Sequence, residues 1–167
     1  MVAEVKLKTN SKVVAKNFKR LAKKLPQFID KGLLQAGFHL LDIIWTKTAK
    51  GQDFRGNPFA PYSEGYLKRL EREGKKTAVD LFYSGRMLGA LTPSGKTVRK
   101  ISNNIVSVSF SNSQMQQRAL FNQVLMGSKN REFFGFNSRT ENIIGKAFNR
   151  FVEKQIRATR IWVYEKI

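Results

Sequence analysis

The chain has 167 residues, 31 Lys+Arg against 12 Asp+Glu, and a formal net charge of +19. Its hydrophobic content of 41% and its 13 Phe, 4 Tyr and 2 Trp are enough for one packed core and exclude a disordered chain, which would be poor in aromatics. With no cysteine and a single histidine, disulfide scaffolds, thiol catalysis, cysteine-ligated zinc and paired-histidine sites are excluded.

The length predicts one domain, 1–167, and no internal repeat or linker interrupts it. Residues 1–6 carry no apolar h-region, so no signal peptide is expected. The most apolar stretch, Leu33 to Trp45, is broken by Gln35, His39 and Asp42. It falls short of the ~18 uninterrupted apolar residues of a spanning helix, so no membrane partner is expected. The positive charge is not confined to a tail. Basic residues outnumber acidic ones 11 to 3 in residues 1–50, 10 to 5 in 51–100 and 10 to 4 in 101–167. A surface positive throughout attracts polyanions or acidic proteins.

Residues 2–8 alternate apolar and polar, with Ala3, Val5 and Leu7 on one side, which predicts a half-buried strand. Ser11 is placed to cap a helix running to about Leu25. On that helix Val14, Phe18, Leu21 and Leu25 share an arc of about 60°. Lys12, Lys16, Lys19 and Lys23 occupy a similar arc opposite, and Arg20 and Lys24 widen the basic face. These six are the candidate polyanion contacts. Pro26 suits the first turn of a second helix, and Gly51 its end. This 26–50 helix is apolar around most of its circumference and is expected to be central. His39 lies in its narrow polar arc and reads as a surface histidine.

Residues 51–63, GQDFRGNPFAPYS, combine turn formers with aromatics and predict a loop. Phe54, Arg55, Phe59 and Tyr62 are its candidate partner-docking residues. A short charged helix is expected from Glu64 to Glu73, and another near Met87 to Leu91 with Ser84 as its cap. Residues 96–101 and 104–111 then read as a hairpin through Ser102-Asn103-Asn104, with Val106, Val108 and Phe110 facing inward. A helix follows over Gln114 to Met126, then an extended segment with Phe133, Phe134 and Phe136. Ser138-Arg139-Thr140-Glu141 forms a capping box that opens a last long helix, 139–158. Ile161 to Ile167 alternates again and predicts a final strand.

The fold class is therefore α+β, a small antiparallel sheet packed against two long helices, with extended loops and termini. Phe18, Leu33, Leu41, Ile44, Val108, Phe148 and Phe151 are the expected core.

Chemistry-bearing patterns are sparse. Gly95-Lys96-Thr97 resembles the end of a phosphate-binding loop, but Ala90 stands where the first glycine belongs, and a strand follows instead of a helix. Glu71 and Glu73 point apart on a helix, and Asp53 and Asp80 have no partner that spacing identifies. No catalytic residue, metal ligand or cofactor site is assigned, and a non-enzyme is expected. No base-reading element is recognisable, so any nucleic-acid contact would be independent of sequence. One functional reading is accordingly a basic, sequence-independent nucleic-acid-binding protein.

The chain also resembles the virion morphogenesis (tail completion) family of tailed bacteriophages, which includes small proteins of Mu-like and P2-like phages. The matching pieces come in family order. They are the loop 51–63, with Phe59 where the family tends to have Trp; Leu81-Phe82-Tyr83-Ser84-Gly85-Arg86-Met87-Leu88; the strand Asn104 to Ser111; Ala119 to Gly127; and Arg131-Glu132-Phe133-Phe134-Gly135 before the last helix. Glu132 departs from the usual Pro. The resemblance covers about residues 50–138. It implies a structural virion protein without cofactor or catalytic residues, sitting at the head–tail junction as a tail-completion, neck or terminator ring. The partners implied are copies of itself, a head-side connector or portal, tail-tube proteins and the double-stranded DNA that passes the junction. The location implied is the virion, assembled in the host cytoplasm.

Overall fold

The computed structural model describes residues 11–82, 84–125 and 129–159. The expected strands 2–8 and 161–167 lie outside the described residues. The remainder is α+β: a two-stranded antiparallel sheet with helices around it.

Helix α1 spans Ser11–Ala49 without a break, and Pro26 lies inside it. The expected division into two helices at Pro26 is thus corrected. An internal proline forfeits one backbone hydrogen bond and costs about 3 kcal/mol. Here its ring is exposed, and the turns that follow bury Phe28, Gly32 and Ala36. Burying one Phe recovers about 2–3 kcal/mol, so tertiary packing carries the helix through.

Two buried faces explain why the second half of α1 is so apolar. One holds Phe28, Gly32 and Ala36 and lies along helix α5, Ser138–Ala158. At Gly32 the rings of Phe148 and Phe151 come so close that a Cβ there would lie 2.9 Å from Phe148. The other face holds Gly37, Leu41, Ile44 and Thr48. Gly37 meets the hairpin of β1, Val98–Ser102, and β2, Ile105–Val108. The pairing Val98↔Val108 and Lys100↔Val106 turns through Asn103-Asn104, where Asn104 adopts φ 61°, a left-handed conformation that Asn tolerates. Lys100 pairs with Asp30 of α1, which ties the hairpin to the helix.

The shorter elements close the core. Helix α2 spans Glu64–Arg72 and α3 spans Arg86–Gly89. Gly85, at φ 68°, precedes α3 where Ser84 was expected to cap it. Helix α4, Ser113–Leu120, is capped by the Asn112 side chain and runs on into one π-helical turn, Phe121–Leu125. For α5 the cap is Asn137, whose side chain accepts from the Thr140 N–H at 2.9 Å; the expected box on Ser138 is corrected by one residue.

Leu41, Ile44, Phe59, Leu88, Leu91, Val98, Met115 and Phe133 form one buried cluster. Leu41 and Ile44 are in the core as expected. Leu33, Val108, Phe148 and Phe151 are half-buried; Phe148 and Phe151 pack on α1 at Gly32, apart from the main cluster. Phe18 is 50% exposed, a further correction. It lies in the first turns of α1, ahead of Arg20 and Lys24, where α5 ends alongside.

Candidate functional site

The six basic residues of the α1 face are accessible. Lys12, Lys16, Lys19, Arg20 and Lys23 are exposed and Lys24 is half-buried. Arg20 and Lys24 line a shallow groove with Gln155, Ala158 and Thr159 at the end of α5. The side of α1 that carries Lys12, Lys16, Lys19 and Lys23 is the same side that further along carries Gly37, Leu41 and Ile44, since all lie within one arc at about 100° per residue. The helix face therefore changes from lysine to leucine as it enters the core. His39 is exposed, as its polar arc predicts.

The loop 51–63 is stitched to the body. Phe59 is in the core, so its side chain is withdrawn from any partner. The Phe54 N–H donates to the Glu132 carbonyl at 2.8 Å, and the Phe54 carbonyl accepts from Lys47 Nζ at 2.7 Å and from Asn137 Nδ2 at 3.3 Å. Its ring packs against Gly135, where a Cβ would lie 3.0 Å away. Arg55 is exposed, lies 4.2 Å above the Phe54 ring and pairs with Glu132 at 2.6 Å. Tyr62 is half-buried.

Tyr62 belongs to a cleft of about 500 Å³ that brings together four stretches of chain, 61–66, 81–87, 118–122 and 129–131. Tyr66, Leu81, Met87 and Phe121 supply apolar walls, and Arg118, Lys129 and Arg131 supply cations. Arg131 is 3% exposed. Its guanidinium donates to the Ala60 carbonyl at 3.3 Å and sits 4.8 Å over the Tyr62 ring, while Tyr66 meets Tyr62 edge-on at 4.8 Å. Burial raises the pKa of the Tyr62 phenol, and the opposing pull of Arg131 is the smaller effect. The phenol is thus held neutral beside the cations. Sequence spacing gave no sign of Tyr66, Arg118 or Lys129, because residues from separate segments converge only through the fold.

The remaining sequence candidates have structural roles. The Thr97 hydroxyl lies 3.0 Å from both the Thr92 and Ser94 carbonyls and is buried in the turn that opens β1. Asp53 accepts from the N–H groups of Gly56 and Asn57, and Asp80 from that of Phe82. Glu73 pairs with Arg69 and Lys75, and Glu71 is exposed. Among the described residues no cluster of three or more His, Asp or Glu is placed to hold a metal ion, and no helix is long and apolar enough to cross a membrane.

The chain matches no protein-family model, no curated protein and no solved structure.

Proposed function

We propose that this chain is a structural subunit of the head–tail junction of a tailed bacteriophage, a ring-forming tail-completion or neck protein that joins tail to head. The observation that supports this reading best is spatial. The segments whose order resembles the virion morphogenesis family fold against one another. The loop 51–63 is bonded to 131–137 through Phe54, Arg55 and Ala60. Met87 and Leu88 share one cluster with Phe59, Ala119 and Phe133. The Arg131 N–H donates to the Asn122 carbonyl at 2.7 Å, and the Phe110 ring lies 6.4 Å from that of Phe133 and 5.6 Å from that of Phe134.

A ring subunit also needs open surface for its neighbours. Each hairpin strand has one strand partner among the described residues, and Ile101 and Ile105 at its tip are 66% and 55% exposed. An open edge of this kind accepts a strand from another chain. The lysine face of α1 suits a location beside DNA or an acidic ring.

The test is to mix the protein with connector and tail-tube proteins and to read native mass and electron micrographs. The expected result is a closed ring seated between them, weakened by Ile101→Asp with Ile105→Asp. A chain that stays monomeric, joins neither partner and retains DNA of any sequence overturns this reading in favour of a basic nucleic-acid-binding protein.

A further inference from the structure

The cleft beside Tyr62 is not used by the ring reading, and its ligand does not depend on that reading. A second cleft of about 340 Å³ adjoins it and shares Tyr62, Tyr66 and Ser84, so the two make an elongated track. Its deeper part is apolar, with Leu81, Met87 and the 53%-exposed Phe121. Arg118 and Lys129 stand exposed at that part, and among the described residues no carboxylate lines it. Asp80, in the adjoining cleft, is engaged by the Phe82 N–H.

We propose that this track binds an extended acidic peptide segment of another protein. An apolar side chain seats on Leu81, Met87 and Phe121, and flanking carboxylates meet Arg118 and Lys129. Three observations select this occupant. The elongated shape suits an extended chain better than a compact small molecule. The cationic rim selects carboxylates, and a second copy of a chain carrying +19 is the wrong charge. Nucleic-acid strands bind by stacking bases on open aromatic faces. Here the Tyr62 ring is already covered by the Arg131 guanidinium on one side and met by Tyr66, which leaves Phe121 as the exposed ring of the deeper part and no series of open rings for successive bases.

The test uses the full chain as bait for a library of random peptides, with the recovered sequences re-measured singly. Enrichment of acidic residues around one large apolar residue is expected. Arg118→Glu with Lys129→Glu should weaken these peptides about tenfold or more, since two exposed ion pairs become two repulsions. Phe121→Ala should weaken them as well. All three side chains are exposed, so the fold is retained. Lys12→Glu with Lys16→Glu makes the same change in net charge far from the cleft and should leave the affinity within about twofold, apart from general attraction screened by salt. The proposal is overturned if no sequence is enriched, if neutral or basic sequences are, or if the two double variants weaken binding equally. It is also overturned if a thymidine oligonucleotide binds more tightly than the peptides and loses that advantage in Arg118→Glu with Lys129→Glu.

Discussion

Gly37 has a helical backbone that any residue adopts, so what requires glycine there is space. A Cβ would fall 2.6 Å from Val98 Cγ1 and 3.4 Å from the nearest methyl groups of Val106 and Val108. Gly37→Ala gains about 1 kcal/mol of helix propensity. It also overpacks a site whose nearest neighbour, Val98, is 2% exposed, at about 1–3 kcal/mol. The net expectation is destabilisation, read as a lower denaturant midpoint. Adding Val98→Ala removes the obstructing methyl and should make the effect of Gly37→Ala stabilising instead. If Gly37→Ala stabilises the protein with Val98 in place, the hairpin does not sit on α1 as described. The sequence could not disclose this role, because a glycine within an apolar helix reads as a weak point until its neighbours are known. Arg131 is similar. Charged side chains are almost never fully buried unless paired, and the fold buries this one between Ala60 and Tyr62.

Helix α1 was legible in its apolar arc but not in its length, nor in its first turns, where Val14 and Phe18 are exposed. The arc of Val14, Phe18, Leu21 and Leu25 continues in phase through Phe28, Gly32 and Ala36 at about 100° per residue. Two small residues in the stripe hid that continuity, and Pro26 invited a break. Because Pro26 is exposed inside a helix held by packing on α5, Pro26→Ala should restore a backbone hydrogen bond and stabilise the protein by about 1–3 kcal/mol. Thermal unfolding would check this; a destabilised variant would mean that the proline shapes α1 and that the helix is not simply continuous. The start of α5 separates two nearly equivalent sequence readings. Asn137 accepts from Thr140 and donates to the carbonyls of Phe54 and Arg55, whereas Ser138 is exposed. Asn137→Ala should cost about 1–2 kcal/mol and Ser138→Ala close to nothing. Equal costs would return the cap to Ser138. The hairpin was the most legible element, because the alternation of Val106, Val108 and Phe110 reports one buried face directly, and all three pack on the core.

At the scale of the whole molecule, charge governs association, and it sets opposite salt responses for the two kinds of partner. Copies carrying +19 repel one another, so assembly of the ring proposed above should strengthen as salt screens that repulsion. DNA binding should weaken, because each neutralised phosphate releases counterions and contributes a slope of about −0.9 in log K against log salt. The face that the sequence singled out, Lys12, Lys16, Lys19 and Lys23, is exposed on the turns of α1 that precede the core. With three to six contacts, log K should fall by about 3–5 per decade of salt, independent of DNA sequence. Changing the four lysines to Gln should flatten that slope by about the number of contacts removed. It should leave the unfolding free energy within about 0.5 kcal/mol, since exposed sites away from special features tolerate substitution. It should also ease self-assembly at low salt. Fluorescence anisotropy with DNA and sedimentation of the protein alone, each across a salt series, read the two responses separately. An unchanged DNA slope in the quadruple variant would make this face ordinary solvated surface. An unchanged salt dependence of assembly would mean that like-charge repulsion does not limit association of the copies in the proposed ring.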